Sequence, residues 1–135
     1  MDKLIVLLVE PQKRPRIVEV EHTLENLQKL VGGNISASYP WEDRMAIVYD
    51  DEGLLKEKIV PNRYVEGIGV MVGTFFICGL GTEDFISLSD ELLLKYATMF
   101  WTPERIFSVD GNVLIFLDPD GTELDVDYIK KVEHL

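Results

Sequence analysis

The run Val70-Met71-Val72-Gly73-Thr74-Phe75-Phe76-Ile77-Cys78 is the most apolar stretch of the chain. A short apolar run of this kind is typical of a strand in the interior of a sheet. We therefore predict that residues 70–78 form the central strand. The other elements are expected to pack around it.

Four other segments are predicted to be strands. Residues 4–9 form a second uninterrupted apolar run and are expected to be buried on both faces. Residues 17–22 alternate between apolar and polar side chains, as a strand with one wet face does. The proline-punctuated turn at 11–16 predicts that these two strands form a hairpin. Shorter candidates lie at 34–39 and 45–49, while residues 59–64 are expected to be irregular.

Two helices are predicted from their capping residues. Thr23 is a good N-cap, apolar residues follow it at helical spacing, and Gly32-Gly33 can take the left-handed conformation that ends a helix. The sequence Ser89-Asp90-Glu91 marks the start of a second helix, and Pro103 closes that region.

The clearest hairpin pattern lies near the C-terminus. Two strand-like segments, residues 113–117 and 122–126, flank the turn sequence Asp118-Pro119-Asp120-Gly121. Strands outnumber helices, so we predict an α+β fold: a small mixed or antiparallel sheet with two helices packed on it, plus this C-terminal β-hairpin. Residues 1–135 are expected to form a single domain, in which 104–135 is an acidic extension with eight acids against three bases.

The chain has 135 residues and a large excess of acid. Its 24 Asp and Glu residues oppose 13 Lys and Arg residues, which gives a formal net charge of −11. This charge argues against direct contact with nucleic acid and against docking on an anionic membrane, and it suits a basic protein partner. The single cysteine, Cys78, is expected to be a buried apolar side chain. A cytoplasmic location is the expectation, since no disulfide can form within the chain and no apolar run reaches membrane-spanning length.

One motif has a chemical precedent. Asp118-Pro119-Asp120-Gly121-Thr122 follows an apolar strand and matches the D-x-D-G-T pattern of phosphatases whose first Asp is the nucleophile. That chemistry needs further strands of a large sheet, and thirteen residues follow Thr122, so we interpret the motif as a turn. His22 and His134 are isolated from each other and from Cys78. We therefore expect no catalytic residue, no metal site and no cofactor, and predict that the protein is not an enzyme.

Two loop sequences combine aromatic and polar residues. Trp41 lies in the segment Tyr39-Pro40-Trp41-Glu42-Asp43-Arg44, and Asn62-Arg63-Tyr64 places an arginine beside an aromatic ring. Such a pair can stack on a planar ligand and bind an anion. We predict that Trp41, Asn62, Arg63 and Tyr64 line a ligand pocket. The alternative is that Trp41 and Tyr64 only cover the edge of the core.

The acidic residues offer a second kind of surface. Carboxylates can take the place of nucleic-acid phosphates in the groove of a basic protein, because the two groups carry the same sign of charge. The residues predicted to contact such a partner are Glu42, Asp43, Asp50, Asp51, Glu52, Asp118 and Asp120.

Several segments together resemble a known family. They are Val9-Glu10-Pro11, the L-x-x-L-V-G-G-x-I pattern at 27–35, Asp51-Glu52-Gly53, Pro61-Asn62-Arg63, residues 72–79 and Ser87-Leu88-Ser89. Their order over about residues 4–101 is similar to that of the uncharacterised domain-of-unknown-function family 3846 of bacterial phages, plasmids and conjugative elements. The resemblance implies a mobile-element origin and a small accessory role. Its P-N-R block also adds weight to Asn62 and Arg63 as ligand contacts.

Two functions are open on these grounds. The first is a non-enzymatic acidic binding protein of a phage or mobile element that blocks a basic host protein, as a counter-defence factor would. The second is a protein that binds or sequesters a small nucleotide-type molecule, with the pocket at an interface between copies of the chain.

Overall fold

The computed structural model describes residues 2–119. This part of the chain contains ten strands, two α-helices and a 3₁₀ turn at Gly53–Leu55. The helices are α1 (Leu24–Val31) and α2 (Asp90–Met99). The strands are β1 (Lys3–Val9), β2 (Arg16–Glu21), β3 (Ile35–Ser38), β4 (Met45–Asp50), β5 (Pro61–Val65), β6 (Gly69–Val72), β7 (Phe75–Leu80), β8 (Phe85–Ile86), β9 (Glu104–Val109) and β10 (Asn112–Leu117).

One antiparallel sheet organises the described part of the chain. Its strands lie in the order β2-β1-β7-β4-β3, and β8 pairs with the end of β7. Two further antiparallel pairs, β5–β6 and β9–β10, form separate ladders. The α+β class is therefore confirmed, and every ladder among the described strands is antiparallel.

The sheet is covered on both faces. Leu4, Val6 and Leu8 of β1 point to one side, where they pack in a cluster with Leu27 and Val31 of α1. The neighbouring positions of β1 and β7 face the other side, in a cluster completed by α2 and the β5–β6 pair. This alternation follows from the two-residue period of a strand, and it explains why β1 and β7 need apolar residues at nearly every position.

The predicted central strand is two strands. Gly73 takes a left-handed conformation (φ +70°), and its N–H donates to the Val60 carbonyl at 2.7 Å, so the chain turns there. β7 alone is central in the main sheet, whereas β6 pairs with β5 in the second ladder. Part of the segment expected to be irregular is therefore strand β5, which carries a register shift between Pro61 and Arg63.

Both helices begin where the sequence predicts. The Thr23 side chain accepts a hydrogen bond from the N–H of Asn26, and that of Ser89 accepts one from the N–H of Leu92. Gly32 ends α1 in the left-handed conformation (φ +82°). Neither helix in residues 2–119 is long and apolar enough to cross a membrane.

The described residues include a hairpin near the C-terminus that the sequence did not predict. β10 pairs with the strand before it, β9, through the two-residue turn Asp110-Gly111, in which both residues have positive φ. An Asp-Gly pair suits such a turn, because both residues tolerate the left-handed region. The predicted partner segment 122–126 lies outside the described residues.

Candidate functional site

Trp41 and Tyr64, two of the four predicted ligand residues, line a common surface cleft. Two adjoining hollows of about 530 Å³ and 460 Å³ share Trp41, Glu66 and Met99 as walls, and we refer to them together as the Trp41 cleft. Tyr64 and Met99 are each 49% exposed at this cleft. Two aromatic residues of separate segments therefore line the same hollow, and their contact with a ligand stays a prediction.

Arg63 lies beneath this surface. Its side chain is fully buried, and its guanidinium donates to the carbonyl oxygens of Phe100 at 3.0 Å and Lys13 at 2.6 Å and to Oδ1 of Asn62 at 2.8 Å. Burial lowers the pKa of Arg63 to about 10, and the charge of Glu104 opposes this effect. The donors of Arg63 are occupied inside the protein, so the side chain does not face a ligand at the cleft.

Asn62 is also buried and joins three segments. Its amide donates to the carbonyl oxygens of Val9 at 2.9 Å and Gly73 at 2.8 Å, while Oδ1 accepts from Arg63. These bonds tie β5 to the end of β1 and to the turn after β6. The structure therefore gives Asn62 and Arg63 a framework role, in place of the ligand contact expected from the sequence.

The Trp41 ring is held by the aromatic core. It stacks on Tyr96 with a centroid distance of 5.4 Å and an interplanar angle of 15°, and it lies tilted against Phe100 at 6.4 Å. Phe100 in turn packs edge-on against Phe75 of the central strand at 5.6 Å. A ring fixed in this way presents a preorganised apolar surface to whatever enters the cleft.

Asp43 connects the loop before β4 to helix α2. Its Oδ2 accepts hydrogen bonds from Lys95 Nζ and from the Tyr96 hydroxyl, each at 2.6 Å. The bond from Lys95, followed by that from Tyr96, lowers the pKa of the Asp43 carboxyl. Burial, reinforced by the Asp43 carboxylate, raises the pKa of Tyr96, so the hydroxyl stays a donor at neutral pH.

The cleft carries more carboxylates than it neutralises. Glu42 and Glu66 are exposed on its wall, and neither forms an ion pair with another residue in the described range 2–119. Glu104 lies half-buried at its far end, where burial raises the pKa of the carboxyl against the opposing effects of the Tyr64 N–H and of Arg63. Lys95 is the only cation among the described residues that line the cleft.

The acids predicted to contact a partner fall into two groups. Asp43, Asp50 and Asp118 each lie within 3.0 Å of a basic side chain of the same chain: Lys95, Lys56 and Arg105. Glu42, Asp51 and Glu52 are exposed. Asp120 lies outside the described residues. The exposed group is therefore the part of the prediction that remains available to a partner.

Asp50 shows why sequence alone overcounts acidic surface. Its carboxylate is buried, accepts from the Glu52 N–H at 2.9 Å and pairs with Lys56 at 2.8 Å. Burial would raise the pKa of this carboxyl, but the bonds from Lys56 and Glu52 together outweigh burial and lower it. The backbone of Gly33 approaches so closely that a Cβ there would lie 2.6 Å from Oδ1.

Sequence inspection missed the residues that complete the cleft. Glu66 lies in the β5–β6 turn, Lys95 and Met99 lie on α2, and Glu104 begins β9. The three-to-four-residue spacing of Lys95 and Met99 places both on one helix face, which is the one local indication the sequence offered.

Other chemistry is limited in the described residues. Cys78 is buried, and burial raises the pKa of its thiol to about 12. His22 lies 3.3 Å from the Asp84 carboxylate. Within residues 2–119, no group of three His, Cys, Asp or Glu side chains is placed to hold a metal ion.

Comparison with protein families matches most of the chain. The family described as "Domain of unknown function (DUF3846)" matches residues 1–101, which include every described residue of the Trp41 cleft except Glu104. No curated protein and no solved structure matches the chain.

Proposed function

Since the chain belongs to the DUF3846 family, whose description assigns no activity, we propose its function from the Trp41 cleft. The proposal is a non-enzymatic binding protein that holds a basic protein partner by one or more of the partner's cationic side chains. The observation that carries the proposal is the aromatic wall of half-buried Trp41 and exposed Tyr64 beside Glu42 and Glu66, two carboxylates that form no ion pair within the described residues 2–119.

The chemistry of this wall suits a lysine or arginine side chain. Aromatic faces attract cations, and carboxylates form charge-assisted hydrogen bonds with ammonium and guanidinium groups. The apolar stem of such a side chain can lie along Met99 and the aromatic rings while its charged end reaches Glu66. The net charge of −11 gives the whole chain a negative long-range field. This field attracts a basic protein and speeds its encounter with the cleft.

The biological setting is part of the same proposal. The partner is a basic host protein, and the chain is an accessory protein of a phage or mobile element that covers the partner's functional surface in the cytoplasm. The acid excess and the mobile-element origin that the sequence resemblance implies support this setting.

A nucleotide-type ligand fits the cleft less well. Arg63, the side chain expected to pair with a phosphate, is buried and fully engaged, and Lys95 is already bound to Asp43. A phosphate placed against Trp41 and Tyr64 would instead meet Glu66 and Glu104. The negative charges of a phosphate and of these carboxylates repel each other, so the cleft favours the protein partner over the nucleotide.

Binding of a tetra-lysine peptide tests the proposal. The chain has two tryptophans, so a Trp101→Phe background leaves Trp41 as the fluorescent reporter. We expect tetra-lysine to change the Trp41 emission saturably, and the change Glu66→Gln to weaken binding by about two- to fivefold. Glu83→Gln is the matched control: it removes the same charge from an exposed residue that does not line the cleft, and its effect should be smaller.

Three results would contradict the proposed function. The proposal is wrong if tetra-glutamate binds with the same affinity as tetra-lysine. It is also wrong if Glu66→Gln and Glu83→Gln reduce tetra-lysine affinity equally, because the cleft is then not the binding surface. A saturable response to a nucleotide but none to tetra-lysine would favour the small-molecule function.

A further inference from the structure

The Trp41 cleft already holds one cation, and that cation belongs to the chain itself. The Lys95 ammonium lies 2.6 Å from Oδ2 of Asp43 and 5.6 Å from the centroid of the Tyr96 ring. The Lys95 side chain is 52% exposed and that of Asp43 30% exposed, so solvent and other cations reach this pair.

The carboxylate of Asp43 is well prepared to receive an ammonium. The Tyr96 hydroxyl donates to the same oxygen, and Tyr96 is fully buried and stacked on Trp41. These contacts fix the Asp43 carboxylate at the wall of the cleft whether or not Lys95 is bound to it. An acceptor held in place by a buried donor loses little freedom when it takes a new cation.

We propose that Lys95 acts as an internal competitor for a cation subsite formed by Asp43, Tyr96 and Trp41. A lysine or arginine side chain of a partner displaces the Lys95 ammonium and takes over its bond to Asp43. The proposal rests on the proposed function, because it describes how the same cleft admits its partner. Lys95 thereby sets a threshold: weakly basic segments do not displace it, and a segment with several adjacent cations does.

Displacement of Lys95 is favourable for a partner that brings several cations. Water screens an exposed ammonium–carboxylate pair, so the pair contributes little to affinity. A single incoming cation therefore gains little by replacing Lys95. A basic segment that also reaches Glu42 and Glu66 gains those contacts in addition, since both carboxylates lie on the same wall without an ion-pair partner in residues 2–119.

The test is a double-mutant cycle on Lys95 and Asp43, with tetra-lysine as the probe and Trp41 emission as the readout in the Trp101→Phe background. We expect Lys95→Met to tighten tetra-lysine binding by about two- to fivefold, because the probe then no longer has to displace Lys95 from the Asp43 carboxylate. In an Asp43→Asn background the same change should give no gain, because the contested carboxylate is absent. Lys29→Met, which removes an equal charge from an exposed residue of α1 outside the cleft, is the matched control and should change binding less.

The possible results separate the two proposals. A gain from Lys95→Met that equals the gain from Lys29→Met, or one that persists with Asp43→Asn, overturns the competition and leaves the cleft as a binding site. Absence of tetra-lysine binding in every variant overturns the proposed function and the competition together. Lys95→Gln serves as a second variant, and circular dichroism of each protein confirms that the fold is retained.

Discussion

Arg63 shows how a single residue can have a functional pattern in sequence and a structural role in the fold. An arginine beside an asparagine and a tyrosine has the composition of a ligand contact, yet its guanidinium is enclosed by carbonyl oxygens 50 and 37 positions away in the chain. Burial of this kind depends on how distant segments meet. The chemistry of Pro61-Asn62-Arg63-Tyr64 alone therefore cannot distinguish the two roles.

Arg63→Met is expected to destabilise the protein by about 3 kcal/mol, because the Phe100 carbonyl and Oδ1 of Asn62 lose their donor while they remain inside the protein. Urea unfolding measures the loss. Arg44→Met is the matched control: Arg44 also donates to two carbonyls, those of Leu80 and Gly81, but it is exposed, and the expected loss is about 0.5 kcal/mol. Equal losses in the two variants would contradict the framework role of Arg63.

Gly73 decides how one apolar segment is divided between two sheets. The sequence correctly marks residues 70–78 as strand-forming, and β7 is central as predicted. The break itself depends on the left-handed conformation at Gly73 and on the hydrogen bond from its N–H to the carbonyl of Val60, which lies just before β5. Apolar periodicity carries no information on such a turn, whereas the caps at Thr23 and Ser89 are local and were predictable.

Substitutions at Gly73 should follow the cost of left-handed backbone. We expect Gly73→Val to destabilise the protein by about 2 kcal/mol and Gly73→Asn by less, because asparagine tolerates positive φ better than a β-branched residue. Thermal unfolding of the two variants gives the comparison. Among the described residues 2–119, no heavy atom other than those of adjacent residues lies within 4 Å of a Cβ at this position, so steric overlap does not confuse the result. Equal losses would contradict a backbone origin.

The link between α2 and the loop before β4 should depend on pH through Asp43. Its pKa is lowered in the folded protein, first by Lys95 and then by Tyr96. The folded state therefore binds this proton less readily than the unfolded state, and the stabilisation is present above the unfolded pKa and lost as the pH falls through the folded one. We expect Asp43→Asn to reduce the free energy of unfolding at about pH 7, with the difference from wild type shrinking toward about pH 3.

Glu42→Gln provides the comparison for this titration. Glu42 precedes Asp43, is exposed and has no ion-pair partner among residues 2–119, so its substitution should change the free energy of unfolding little at either pH. Urea unfolding of the wild type and the two variants at both pH values gives the six free energies of unfolding needed. A destabilisation by Asp43→Asn that is the same at both pH values would contradict an ionic origin of the link.

At the scale of the whole molecule, the cleft forms where distant segments of the chain pack together. Its walls come from the loop before β4, the β5–β6 pair, α2 and the start of β9. The sequence predicted that Trp41 and Tyr64 belong together, because aromatic and charged residues cluster around each. It does not predict Glu66, Met99 or Glu104 as neighbours, because their proximity depends on how the β5–β6 pair, α2 and β9 pack against one another.

The acid excess of the chain predicts opposite effects of salt on stability and on binding. A net charge of −11 repels itself within the compact state, and added salt screens that repulsion, so the free energy of unfolding should rise between about 20 mM and about 500 mM NaCl. The same screening weakens attraction between the Trp41 cleft and a basic probe, so tetra-lysine affinity should fall over this range. Chemical denaturation by urea, which adds no ions, and Trp41 fluorescence measure the two quantities on one preparation. Binding that is independent of salt would mean that the carboxylates of the cleft do not hold the cation, even if the stability responds as expected.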